Sequence, residues 1–167
     1  MPQLSIEIVY QDSDLLQIMV KGSNGRYSGS TLLYLSADGR ELTDFGQRMQ
    51  GFPKSFDQVE EMEFGATKRY QEEVKKMQES DPRIRPESAF LGLRFHCIDR
   101  LDHSGVEVAL HEDSWSQREQ AIGNVRFELR FEPAQLDRFA KELIDLGIKK
   151  EGIAVLDGIM DGKDAIA

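Results

Sequence analysis

All three histidines and the single cysteine of this 167-residue chain lie between His96 and His111. Imidazole and thiolate are common zinc ligands, so this density would suit a metal site. Alternating patterns predict a hairpin of strands 90–98 and 105–112, which places His96 and His111 on the order of 15 Å apart at ~3.3 Å per residue. His96 and its neighbour Cys97 should also face opposite sides of their strand. We therefore expect no metal site and no cofactor.

Nucleophilic and acid–base chemistry has no clear carrier in the sequence. Ser28 and Ser30 flank Gly29, but a nucleophile elbow requires the order Gly-x-Ser-x-Gly. Carboxylates at predicted loop ends could form an acid–base pair, although acidic loop residues are usually only solvated: Asp99, Asp102 and Asp113. The sequence predicts no catalytic residue and a protein that is not an enzyme.

Two features indicate binding to a protein partner instead. Four acids occupy seven positions, namely Asp57, Glu60, Glu61 and Glu63. A charged edge strand that resists aggregation would explain them, and so would an acidic surface for a basic partner. Trp115, the only tryptophan, lies in an acidic loop, where it would either cover the core or contact a partner. We take these five residues as the candidate partner-binding residues.

The composition narrows the classes of partner. There are 30 acids and 21 bases, which gives a net charge of −9. Broad binding to nucleic acid or to anionic membranes requires a basic surface, so we expect neither partner. One cysteine allows no internal disulfide, and the first residues show no signal-peptide pattern. These features favour a cytoplasmic protein.

Hydrophobic periodicity predicts the elements that must position these residues. Alternation of apolar and polar residues predicts strands at 3–9, 15–22, 27–36, 56–64, 88–99, 105–112 and 124–132. Apolar spacings of three and four predict helices over 42–49, 66–80 and 133–146. Gly147 should cap the third helix, and a last strand should follow at 148–158. The sequence thus predicts an α+β fold, mainly an antiparallel sheet or sandwich with helices packed on one side.

The order of three strands, a helix and a strand occurs twice. Leu42 and Phe45 correspond to Leu136 and Phe139 at an offset of 94 residues. This predicts one domain over 1–158 with two possible repeats, at 3–64 and 88–157. The segment 65–87 would join the repeats, and 159–167 would be a flexible tail. Short apolar patterns also recur by chance, so one domain with two similar strand-to-helix corners is the alternative.

The second of these corners predicts part of the core. Strand 124–132 leads directly into helix 133–146, and such a corner folds the helix back onto the sheet. Residues on the inward faces of both elements should therefore share one core, namely Phe127, Leu129, Phe139 and Leu143.

The runs YSGSTLLYLSADGRELTDFGQRMQGFP and FELRFEPAQLDRFAKEL resemble small bacterial immunity proteins of polymorphic toxin systems, especially those paired with wall-associated toxins. The resemblance covers most of 3–147 and rests on hydrophobic corner residues, while 66–87 looks like an insertion. It implies a cytosolic, non-enzymatic protein that binds a cognate toxin and blocks its active site. The alternative is a cytosolic α+β domain with a small-molecule pocket between sheet and helices, which could be an enzyme.

Overall fold

Two antiparallel sheets and three helices make up the part of the chain that the computed structural model describes, namely residues 1–84, 88–100, 103–112 and 123–160. In chain order, the elements are β1 (Gln3–Gln11), β2 (Leu15–Ser23), β3 (Ser28–Ser36), α1 (Arg40–Met49), β4 (Glu60–Gly65), α2 (Lys68–Ser80), β5 (Phe90–Cys97), β6 (Ser104–His111), β7 (Asn124–Phe131), α3 (Pro133–Lys149) and β8 (Ile153–Asp157). The predicted α+β class with antiparallel sheets is confirmed.

Each sheet is built from both parts of the chain. The first sheet has the order β3-β2-β1-β8, and the second has the order β4-β5-β6-β7. The strand that follows α1 therefore joins the second sheet, and the strand that follows α3 joins the first. As a result, neither run of three consecutive strands holds a complete sheet by itself.

We call the placement of β4 and β8 in the opposite sheets the strand exchange. Both strands are held at their ends by the same kind of backbone hydrogen bond. Beyond the end of β4, the Ala66 N–H donates to the Ala89 carbonyl oxygen at 2.8 Å, and beyond the end of β8 the Gly158 N–H donates to Pro2 at 2.9 Å. In both cases the acceptor directly precedes the first strand of a three-strand meander. The same arrangement of β-β-β-α-β elements is therefore present twice.

Helices α1 and α3 pack closely against each other, because small residues let their backbones approach. A Cβ atom added to Gly46 would lie 2.5 Å from the carbonyl oxygen of Ala140, and one added to Gly147 would lie 2.6 Å from that of Gly39. Real Cβ atoms do not approach oxygen so closely, so glycine at 46 and 147 is a requirement of this packing.

The prediction that Gly147 caps the third helix is wrong. Helix α3 continues to Lys149, and Lys150 takes the left-handed capping conformation with φ 59°. Its N–H donates to the carbonyl oxygen of Leu146 at 2.8 Å. Gly147 serves the contact with Gly39 instead of the helix end, and the last strand accordingly starts at Ile153 rather than at 148.

The buried side chains form one continuous core. The four residues predicted to share a core all belong to it, and the exposed fraction is largest for Phe127, at 6%. Phe45 of α1 contacts Phe95 of β5 at a centroid distance of 6.0 Å. At the other end of the sandwich, the Gly29 backbone approaches Val125 of β7. Both sheets therefore bury their inner faces in the same core.

The predicted strand 56–64 is shorter in the structure. A turn precedes it, since the Gln58 N–H donates to the Ser55 carbonyl oxygen at 3.2 Å. Phe56 and Val59 are 48% and 43% exposed. These two apolar residues therefore do not belong to a buried face of the strand. β4 itself starts at Glu60.

Helix α2 is a surface element, as its thin apolar stripe indicates. Thr67 caps its start by accepting a hydrogen bond from the Tyr70 N–H at 3.1 Å. Val74 is the one buried residue of the helix, whereas Met77 is 45% exposed. No helix in the described ranges is long and apolar enough to cross a membrane. Of the predicted tail 159–167, residues 161–167 lie outside the described residues.

Candidate functional site

The acidic residues 57–63 are divided between three environments. β4 is the edge strand of the second sheet, and successive side chains of a strand point to opposite faces. Glu61 and Glu63 consequently lie on the outer, solvent face, on the side opposite to the buried Met62. Glu60 points to the other side, and Asp57 is exposed in the preceding turn. The four acids therefore do not form one cluster.

Glu60 is held by an arginine of α1. The Arg48 guanidinium donates to Glu60 Oε2 at 2.6 Å, and the Gln58 amide donates to Oε1 at 3.4 Å. The hydrogen bond from Arg48 lowers the pKa of the Glu60 carboxyl, against the opposing effect of partial burial. The charge of Glu60 is therefore paired within the fold, by the guanidinium of Arg48.

Glu61 belongs to a chain of alternating charges that crosses the outer face of the second sheet. Its Oε1 lies 3.5 Å from Arg94 Nε, and Arg94 Nη1 lies 3.9 Å from Glu107 Oε1. Glu107 in turn lies 4.0 Å from Arg126 on β7. Exposed pairs of this kind contribute about 0–1 kcal/mol each to stability, but they reduce the local net charge.

Within the part of the chain that the structure describes, Glu63 is the acid of β4 whose charge stays unpaired, and the exposed Asp57 of the preceding turn is unpaired as well. Glu63 is exposed, and no lysine or arginine of the described residues lies within ion-pair distance of its carboxylate. It also lines two adjacent concavities. Trp115, the fifth candidate, lies outside the described residues.

The first concavity is a depression of about 340 Å³ in the outer face of the second sheet. Small residues form its floor, because Gly92 on β5 lies directly opposite Ala109 on β6. Phe90 and His111 are also directly opposite each other, and their ring centroids are 5.2 Å apart. These two rings form one wall of the depression, and Glu63 stands on its rim.

The second concavity is a cleft of about 590 Å³ between α2 and the same sheet. Lys68, Val74 and Lys75 line it from the helix, while Phe90 and His111 line it from the sheet. Glu63, Phe90 and His111 border both concavities. The depression and the cleft are therefore adjacent, and we call them together the α2 groove.

The histidines lie as the predicted hairpin requires. His96 is opposite Gly105 and His111 is opposite Phe90, at the two ends of the β5–β6 pair. His103 instead pairs with Asp99 at 2.6 Å beside the turn. Among the described residues, no three His, Cys, Asp or Glu side chains come together in a way that could hold a metal ion. Asp102 and Asp113 lie outside the described ranges.

The corresponding face of the first sheet has the opposite chemistry. Strand pairing places Ile153, Glu7, Met19 and Leu32 in one row across that sheet. The matching row of the second sheet is Glu61, Arg94, Glu107 and Glu128. Ile153 and Leu32 are 49% and 40% exposed. Similar frameworks thus present a row of three apolar residues and one glutamate on the first sheet, and a row of four charged residues on the second.

Sequence reasoning alone did not identify most of the α2 groove. The pairing of Phe90 with His111 follows from the hairpin register, which the alternation of residues already indicated. Lys68 and Lys75 are seven residues apart, a spacing that places both on one side of a helix. The gap between helix and sheet has no counterpart in the sequence pattern.

Comparisons with known proteins do not place the chain in a family. No family model matches the sequence, no curated protein matches it, and no solved structure matches it. The functional conclusion therefore depends on the residues of the α2 groove and on their geometry.

Proposed function

We propose that this chain is a non-enzymatic, acidic binding protein that recognises one protein partner with a basic surface. The recognition surface is the rim of the α2 groove on the side of β4. Its central contact is Glu63, with Glu61 beside it and Asp57 in the turn that precedes β4. The resemblance to immunity proteins supports a specific role, inhibition of a cognate bacterial toxin in the cytoplasm.

The observation that carries this proposal is the position of Glu63. Glu63 is exposed and lines both concavities, and no lysine or arginine of the described residues lies within ion-pair distance of its carboxylate. A basic side chain of a partner could pair with Glu63 while the rest of its segment enters the groove. Such a contact would combine charge attraction with burial of the partner's apolar groups. Charge attraction raises the association rate, and apolar burial raises the affinity.

The net charge supports the same kind of partner. With a charge of −9, the whole chain attracts a basic protein and repels nucleic acid. Residues 1–65 contribute 10 acids and 5 bases, a net of −5, whereas 88–150 contribute 11 acids and 9 bases, a net of −2. Of these ten acids, Glu61 and Glu63 of β4 border the groove.

A neutralisation experiment tests the proposed function. The product of the gene adjacent to this one is expressed alone and together with the chain, and cell growth is recorded. Growth arrest that the wild-type chain relieves, with weaker relief by Glu61→Gln/Glu63→Gln, is the expected result. The matched control is Asp44→Asn/Asp145→Asn, which changes the charge equally on the exposed sides of α1 and α3.

Two outcomes would contradict the proposal. One is that the two purified proteins form no complex at micromolar concentration in size-exclusion chromatography. The other is that both double variants relieve growth arrest to the same extent, which would remove Glu61 and Glu63 from the interface.

A further inference from the structure

The cleft beneath α2 contains chemistry that binding of a basic protein does not use. Two lysines of the helix, Lys68 and Lys75, face it together with the apolar Val74. Seven residues of α-helix span about 10 Å along its axis, so the backbones of the two lysines lie two turns apart on one wall. The opposite wall consists of the Phe90 and His111 rings.

The cleft separates the helix from the sheet. Val74 lines the cleft and is the one buried residue of α2, with 3% of its surface exposed. The volume of about 590 Å³ lies within the range of roughly 300–1,000 Å³ that is usual for small-molecule sites. A ligand there would contact both the helix and the sheet.

We propose that this cleft binds a small organic anion with a flat apolar body. The apolar body would lie against Phe90 and Val74, since aromatic faces stack on flat ligands. The acidic group, whether carboxylate, sulfonate or phosphate, would lie between Lys68 and Lys75, whose flexible side chains can converge on it. Glu63 at the mouth of the cleft disfavours a second negative charge at the opposite end of the ligand. This site shares the α2 groove with the proposed protein interface, but the inference does not depend on that interface.

The test uses the fluorescent anion anilinonaphthalene sulfonate and the neutral phenylnaphthylamine as probes of the intact chain. We expect saturable binding of the anion at one site. Lys68→Gln/Lys75→Gln should weaken binding of the anion about tenfold, since two exposed charge contacts are lost. Binding of the neutral probe should change less than twofold. Both lysines are exposed, so the variant should keep the wild-type melting temperature.

Two control variants locate the probe. Lys76→Gln/Lys141→Gln removes the same charge from exposed lysines that do not line the cleft, and should leave anion binding unchanged. Leu32→Glu places a charge among the exposed apolar residues of the first sheet, and should also leave anion binding unchanged.

Three results would overturn the proposal: anion binding that does not saturate, binding that Leu32→Glu abolishes, or equal affinity in Lys68→Gln/Lys75→Gln and wild type. Each of them leaves the partner-binding proposal intact, because no partner protein takes part in this experiment.

Discussion

The ring of Phe139 meets the ring of Phe45 edge-on, with centroids 6.0 Å apart and planes at 86°. The two residues occupy the same place in the two β-β-β-α-β arrangements, 94 positions apart. Their neighbours behave likewise, since Gly46 packs against the backbone of Ala140, its counterpart at the same offset. Corresponding residues of the two arrangements therefore contact each other where α1 crosses α3.

Removal of the Phe139 ring should strongly destabilise the fold. Phe139 is fully buried, and Phe→Ala in a core costs about 3–5 kcal/mol of unfolding free energy. A double-mutant cycle with Phe45→Ala should show a coupling of about 0.5–1.5 kcal/mol, as expected for an edge-on aromatic pair. Denaturant unfolding measures both quantities. Phe56→Ala, at an exposed aromatic, is the control; a Phe139→Ala midpoint equal to that of wild type would contradict the packing.

Gly147→Ala should destabilise the protein although alanine favours helices. The helix propensity alone would stabilise it by up to about 1 kcal/mol. The new Cβ would instead lie 2.6 Å from the Gly39 carbonyl oxygen and push α1 away from α3. We expect a net loss of about 1–3 kcal/mol, in the range of other overpacked sites. Asp145→Ala, on the exposed side of α3, should change stability by less than ~0.5 kcal/mol, and a stabilised Gly147→Ala would refute the close approach.

The Glu60–Arg48 pair should make part of the stability depend on pH. The pKa of Glu60 is lowered in the folded state, so the pair stabilises the fold above the unfolded pKa of about 4.3. That stabilisation is lost as the pH falls through the folded pKa. Between pH 5 and pH 3, wild type should lose up to about 1 kcal/mol more than Glu60→Gln. Equal losses in urea melts of the two proteins would show that the pair does not contribute.

Separation of the chain between α2 and β5 should abolish independent folding. A fragment 1–84 contains β4 without its partner β5, and a fragment 85–167 contains β8 without its partner β1. Neither fragment should unfold cooperatively alone, whereas an equimolar mixture should recover the circular dichroism of the intact chain. A cooperative transition in either fragment alone would contradict the single-domain interpretation.

The sequence predicted the elements better than their partners. Period two identified which residues of a strand face the core, as in β7, where Phe127 and Leu129 are buried. Alternation does not indicate which sheet a strand joins. It therefore does not predict that β4 joins the second sheet and β8 joins the first. The end of α3 is not predicted either, because a glycine such as Gly147 suits both a helix cap and a close contact between helices. The sequence alone does not distinguish these two roles.

The candidate site was predicted only in part. The four acids of 57–63 looked like one patch, but strand alternation places Glu60 and Glu61 on opposite faces. The arginines that neutralise them come from other elements, namely Arg48 of α1 and Arg94 of β5. Which acids keep an unpaired charge therefore depends on tertiary contacts, and local composition does not reveal it.

Association kinetics at several salt concentrations test the central claim most directly. The product of the adjacent gene is tested as the partner, and the rates are measured by stopped flow for wild type and two double variants. Glu61→Gln/Glu63→Gln should associate more slowly and with a weaker salt dependence, because charges at an interface rim mainly set the association rate. Asp44→Asn/Asp145→Asn, with the same net charge, should match wild type more closely. Equal rates for the two variants at every salt concentration would contradict the assignment of the β4 rim as the recognition surface.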